Sequence, residues 1–124
     1  MMTIRQVMEI VDGKVLIGED RLDGRVDTAC GSDLMSDVLA FVKEKTVLIT
    51  GLINPHVLRT SEMLDITCIV FSRGKLPSRE ILEKADDCGI TVMVTKMTTY
   101  TACGELYLHG LPGTKPKKPA PEGA

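Results

Sequence analysis

The chain of 124 residues lacks most of what would announce a function. It has no strong charge of either sign: formal net charge is −2 and the isoelectric point about 5.7. A nucleic-acid binder held by bulk positive charge is therefore excluded. No apolar run approaches the ~18–20 residues of a membrane span. No secretory leader is read at the start, because Arg5, Glu9 and Asp12 interrupt the apolar residues there. Phosphate-binding GxxxxGK[ST], dinucleotide-binding GxGxxG and the hydrolase elbow GxSxG are all absent. Histidine is scarce, and His56 and His109 have no partner at ligand spacing. The four cysteines, Cys30, Cys68, Cys88 and Cys103, form no CxxC pair. Structural zinc sites take cysteines in close pairs, so these read as reduced thiols, mostly buried. The acidic turn from Gly18 to Arg25 lacks calcium-loop spacing. No metal, no cofactor and no catalytic residue is expected. What is left is a small cytoplasmic domain, long enough to bury roughly two thirds of its unfolded surface.

What is present is periodic. Thr3 caps a short helix whose Ile4, Val7, Met8 and Val11 fall at helical spacing, and Gly13 stops it. Residues 14–17 and 26–29 read as short strands. Ser32 is expected to cap a helix through Val42, with Asp33 and Asp37 in its first half, where negative charge suits the dipole. A regular pattern follows. Apolar strands at 46–50, 66–71 and 91–95 alternate with amphipathic helices opened by Asn54-Pro55, Pro77-Ser78 and Thr98 or Thr99. Gly89 sits where a left-handed residue ends a helix. Continuous Val/Ile strands between amphipathic helices predict an α/β fold: three αβα layers around a mainly parallel sheet. The short N-terminal strands should extend an edge and make the sheet mixed. One domain is expected over 1–111. Residues 112–124, PGTKPKKPAPEGA, carry four prolines, three lysines and no large apolar residue. They read as a disordered Pro/Lys tail, a composition that also suits a basic or polyproline-II docking peptide.

In such a sheet, ligands bind beyond the carboxyl ends of the strands. The three core strands end at Thr50-Gly51-Leu52-Ile53-Asn54, at Ser72-Arg73-Gly74-Lys75 and at Thr95-Lys96-Met97-Thr98-Thr99. Each loop runs into a helix N-terminus, where free N–H groups favour anions. Arg73, Lys75 and Lys96 add charge; Thr50, Ser72, Thr95, Thr98 and Thr99 add hydroxyls; Asn54 adds an amide; Gly51 and Gly74 allow close backbone approach. Two readings stand side by side. One is an anion pocket for a nucleotide or phosphorylated metabolite. The other is ordinary strand–helix loops with caps and surface cations. The loops offer no base apart from His56, just inside a helix, so no general base can be nominated.

The stretches SDLMSDVLA (32–40), VLITG (47–51), IVFSRGKLPSREILEKADDCGITVMVT (69–95) and TTYTA (98–102) resemble the DRTGG domain. That domain is similar in fold to the N-terminal, non-catalytic domain of HPr kinase/phosphorylase. At this length the chain also resembles stand-alone proteins encoded beside iron-only hydrogenases. The resemblance covers most of 1–111. It implies a regulatory or interaction module, of a kind elsewhere fused to CBS pairs or to phosphate acetyltransferase, and a link to hydrogenase or redox metabolism. The sequence departs from the family at one loop: Gly51-Leu52-Ile53-Asn54-Pro55 lacks the Asp and Arg that members can carry there. Without a phosphate-binding loop, kinase activity is not implied. The alternative is an enzyme of phosphoryl- or acyl-transfer type. Expected partners are a second copy of the chain, a small anion and a protein, with neither nucleic acid nor membrane.

Overall fold

A computed structural model describes residues 2–42 and 45–114. The elements are β1 (Met2–Thr3), α1 (Ile4–Ile10), β2 (Lys14–Ile17), β3 (Arg25–Val26), β4 (Thr28–Gly31), α2 (Met35–Phe41), β5 (Thr46–Thr50), α3 (Pro55–Met63), β6 (Cys68–Phe71), α4 (Arg79–Asp87), β7 (Thr91–Val94) and α5 (Thr99–Leu108). The five-stranded sheet has the order β2-β7-β6-β5-β4. Pairs β4–β5, β5–β6 and β6–β7 are parallel, while β2 lies antiparallel on β7.

Strand alternation divides the core in two. Val47, Ile49, Cys68, Val70 and Met93 face α1 and α5, where Val7, Val11, Ala102 and Leu106 are fully buried. Leu48, Ile69, Phe71, Val92 and Val94 face the other way, onto Val38, Val57, Leu58, Ile81 and Ala85 of α2, α3 and α4. A strand covered on both faces has no polar side, which is why β5, β6 and β7 read as unbroken apolar runs. Burying each large aliphatic side chain contributes about 1.5–3 kcal/mol. The buried hydroxyls along these strands are bonded, whereas the buried Ser61 Oγ of α3 has no partner among the described residues. Thr95 Oγ1 donates to the Val11 carbonyl at 2.6 Å, and Thr28 and Thr46 share a hydroxyl bond of 2.7 Å.

Three expectations are corrected. The N-terminal strands do not simply extend one edge. Of these, β2 alone makes the main sheet mixed, β1 and β3 form a separate antiparallel ribbon, and β4 joins the opposite edge in parallel. The run read as one strand at 26–29 is split between β3 and β4, because the chain must cross from that ribbon to the sheet. Ser32 does not cap α2: the helix starts at Met35, and the Ser32 hydroxyl accepts from the Leu34 N–H at 3.0 Å. Asp33 is drawn away to β5 and cannot serve as a first-turn helical residue. Apart from these, residues 112–114 pair with β4. The Ala29 N–H donates to the Pro112 carbonyl at 2.9 Å, the Thr114 N–H donates to the Ala29 carbonyl at 3.3 Å, and Gly113 bridges Ala29 in parallel. These bonds cover part of the open edge of β4, a position that sheets need to protect. The rest of the expected tail, 115–124, lies outside the described residues.

Candidate functional site at the carboxyl edge of the sheet

The three core loops do meet at one edge, stitched together by backbone bonds. Ser72 N–H donates to Thr50 O at 3.0 Å, Arg73 N–H to Met97 O at 2.7 Å and Gly74 N–H to Thr95 O at 2.8 Å. Most of the expected hydroxyls are spent on this bracing. Thr50 Oγ1 donates to Asp33 at 2.9 Å and accepts from Leu52 N–H at 3.1 Å. Thr95 Oγ1, bonded to Val11, also accepts from Met97 N–H at 3.1 Å. Ser72 and Thr99 share a bond of 2.6 Å. Asn54 and Thr98 are helix caps, accepting from His56 N–H at 3.0 Å and from Thr101 N–H at 3.2 Å. A group that already holds a loop is poorly placed to hold a ligand as well.

The cations are what remain. Arg73 and Gly74 are the central pair of a turn closed by Lys75 N–H to Ser72 O at 3.2 Å. Both have positive φ, 57° and 66°, the type I′ geometry. Glycine tolerates this conformation; an arginine there costs roughly 1–2 kcal/mol. Strain of this kind at a sheet edge is a pointer to function. The Arg73 guanidinium lies over Gly51, so close that a Cβ on that glycine would sit 2.6 Å from Nη2. Gly51 N–H in turn donates to Asp33 at 2.8 Å. Lys96 lies on the other side of the turn. It lines a hollow of about 250 Å³ with Asp12, Lys14, Gly74, Leu76 and Thr95, which Arg73 does not line. Lys75 is exposed on the turn itself. Among the described residues, Lys14, Arg73, Lys75 and Lys96 take part in none of the ion pairs.

Sequence reasoning missed three groups at this edge. Lys14 and Asp12 arrive because β2 runs antiparallel, so its first residue pairs with Val94, the last of β7. Strand direction leaves no mark on the residues of β2. Asp33 was hidden by its resemblance to a helix-start acid. A roomier groove, about 330 Å³, lies between α3 and α4, but Arg59, Lys84, Glu62 and Glu80 give its rim both signs and no convergent polar set.

All four thiols are held toward the protonated form. Burial pushes Cys68 up to about 12 and raises Cys30 and Cys103 too; desolvation, then Glu62, raises the exposed Cys88. Reactive cysteines need the opposite shift. Among the described residues no cluster of three or more His, Cys, Asp or Glu is placed to hold a metal ion, and no helix is long and apolar enough to cross a membrane.

A three-layer α/β domain with braced loops and free cations at its carboxyl edge defines the class. The family model for the DRTGG domain matches residues 6–107, and the chain belongs to that family. Among solved structures, the chain is similar to the CBS and DRTGG domains of the regulatory region of Clostridium perfringens pyrophosphatase, described as complexed with its activator, diadenosine tetraphosphate. The TM-score is 0.65 at 21% identity, covering 90% of this chain and 50% of that one. The present chain thus spans about half the length of that regulatory region. Among curated proteins, none matches.

Proposed function

We propose that this DRTGG domain is a non-catalytic regulatory module that binds a small anionic effector, a nucleotide or phosphorylated metabolite, at the carboxyl edge of its sheet. The observation that carries the reading is the hollow holding Lys14 and Lys96, two lysines without ion pairs among the described residues, beside the strained Arg73-Gly74 turn. The two lysines offer cations to a phosphoryl group, with Asp12 the one opposing charge in the same lining. The remainder of the effector lies over the turn toward Lys75 and Arg73, because about 250 Å³ is less than a whole nucleotide needs. Helix N-termini and the loop hydroxyls frame this edge as a second layer of support. An acyl- or phosphoryl-transfer reading would need a free base. Asp33 is already bonded to Thr50 and Gly51, so such a reading would have to use Asp12, the one carboxylate lining the hollow.

The similarity to the regulatory region of the pyrophosphatase supports the general reading, and the nucleotide activator of that region makes nucleotides the first effectors to screen. The resemblance to proteins encoded beside iron-only hydrogenases makes those enzymes the first protein partners to screen. A homodimer is proposed as the assembly, supported by the exposed Leu34, Leu39, Met63 and Leu76. Light scattering at 13.5 kDa in micromolar solution would count against it.

The binding test is a thermal-shift screen with nucleotides and acyl phosphates, since a ligand of the native state must stabilise it. Each charge-assisted bond contributes about 1.5–3 kcal/mol. Lys14→Ala with Lys96→Ala, and likewise Arg73→Ala with Lys96→Ala, should therefore weaken binding by about a hundredfold or more, enough to abolish the shift at the same ligand concentration. An undiminished shift in both double variants refutes the site.

A further inference from the structure

Helix α5 carries a face that its own domain does not use. At about 100° per residue, Tyr107, Tyr100, Gly104, Leu108 and Thr101 fall in that order on one arc of about 120°. All five are exposed, and none is charged. Tyr100, Tyr107 and Leu108 are 88%, 73% and 77% exposed. The far side of the helix, Ala102 and Leu106, is buried in the core. Seven large apolar side chains are exposed among the described residues, and three of them stand on this arc. The other four lie apart from it, on α2, α3 and the loops before α2 and α4. Exposed apolar residues scattered singly are ordinary, whereas a contiguous group marks a contact.

The arc is also symmetric about Gly104. Three and four positions away on either side are exposed residues, Thr101 with Tyr107 and Tyr100 with Leu108; two positions away are buried ones, Ala102 and Leu106. A two-fold contact demands this pattern, because it sets residue i against j and j against i. Gly104 serves such a contact and nothing else in the domain. Its φ is not positive, and a Cβ there would meet nothing within 4 Å beyond the helix itself. A mid-helix glycine weakens a helix relative to alanine. At a helix crossing it lets two axes approach toward the near end of the usual range of about 8–10 Å.

The area is in proportion. A buried aromatic side chain covers about 150–250 Å², so the two tyrosines at their observed exposure offer roughly 300 Å². With Leu108 the arc reaches roughly 400 Å² per protomer, or about 800 Å² for a pair, against about 1,200 Å² for the smallest stable interfaces. The uncharged groove beside the arc, walled by Ala29, Gly31 and Gly113, is placed to supply the rest.

We propose that a second copy of this chain docks on α5, the two helices crossing antiparallel about a two-fold axis at Gly104. Tyr100 of each protomer then meets the partner's Leu108, and Thr101 meets the partner's Tyr107. No charge faces a like charge across the axis. The proposal rests on the homodimer reading and decides its face, since the other exposed apolar residues are not gathered on one helix.

Light scattering of the full chain at micromolar concentration should give twice the chain mass of 13.5 kDa. Gly104→Lys puts two like charges on the axis, and Tyr100→Ala with Leu108→Ala removes the projecting side chains. Each should raise the dissociation constant at least about a hundredfold and give the single-chain mass at the same concentration. Circular dichroism checks that both are folded; Gly104→Lys should melt no lower than the monomeric wild type, because lysine is the better helix former. Both tyrosines lie on the arc and the chain has no tryptophan, so intrinsic emission reads this face directly. Acrylamide quenching of the full chain should rise roughly twofold on dilution from dimer to monomer, because covering one side of a ring removes about half of its collisional access. In both variants it should stay at the higher value throughout. A dimeric full chain with either variant also dimeric would overturn the α5 face and leave the homodimer standing. A monomeric full chain would overturn both. Tyrosines protected equally in dimer and monomer would show that the chain covers this face itself, and would overturn the proposal too.

Discussion

Asp33 separates two accounts of the same residue. In one it is a helix-start acid, acting on the dipole of α2. In the structure, its Oδ1 takes the Thr50 hydroxyl at 2.9 Å and the Gly51 N–H at 2.8 Å, tying the segment before α2 to the end of β5. A hydrogen bond to a charged group contributes about 1.5–3 kcal/mol. Asp33 is exposed, so the two bonds together are placed near 2–3 kcal/mol, including the cost of stranding the buried Thr50 hydroxyl. For a domain of this size 1 kcal/mol is about 4 °C in Tm. Asp33→Ala should then lower Tm by about 8–12 °C. Asp33→Asn keeps the acceptor oxygen and loses only the charge, so it should cost about half as much. A dipole effect makes different predictions: 0.3–1 kcal/mol, roughly equal for Ala and Asn, and screened away by salt. Thermal denaturation followed by circular dichroism, at low salt and at about 1 M NaCl, distinguishes them. Equal small losses for both variants that vanish in salt would refute the tether.

Two further outcomes follow from packing and burial. A Cβ on Gly31 would overlap Cys103 Sγ, so Gly31→Ala should destabilise by about 1–3 kcal/mol. Adding Cys103→Ala should restore part of the loss, and strictly additive melting temperatures would show that the two residues do not press on each other. The Cys68 thiol, pushed by burial from 9.0 to about 12, keeps its proton in the fold after the unfolded chain has lost it. Its stabilising contribution is therefore complete below pH 9 and is lost as pH rises toward 12. The stability gap between wild type and Cys68→Ala, measured by urea unfolding, should narrow by about 2 kcal/mol between pH 9 and 10.5. A gap independent of pH would contradict this.

The residues of this chain determined its layers. Apolar runs at 46–50, 66–71 and 91–95 read as strands covered on both faces, with one apolar stripe on each helix between them, and the structure places the strands at 46–50, 68–71 and 91–94. Caps such as Asn54, Ser78 and Thr98 act through neighbours one turn away, so their bonds were legible locally. The carboxyl-edge loops were legible too, because strand direction follows from the β-α-β alternation. The tertiary structure decided everything that depends on which distant segments meet. It set β2 antiparallel and so brought Lys14 to Lys96; it used the loop hydroxyls as braces; and it moved Asp33 from α2 to β5. It also laid Pro112–Thr114 along Ala29 at the edge of β4. Local sequence fixes periodicity and capping because those interactions span a few residues. Pairing partners of an edge strand, and the bonds of an exposed carboxylate, are chosen among competitors far away in the chain, and a single sequence carries no record of that competition.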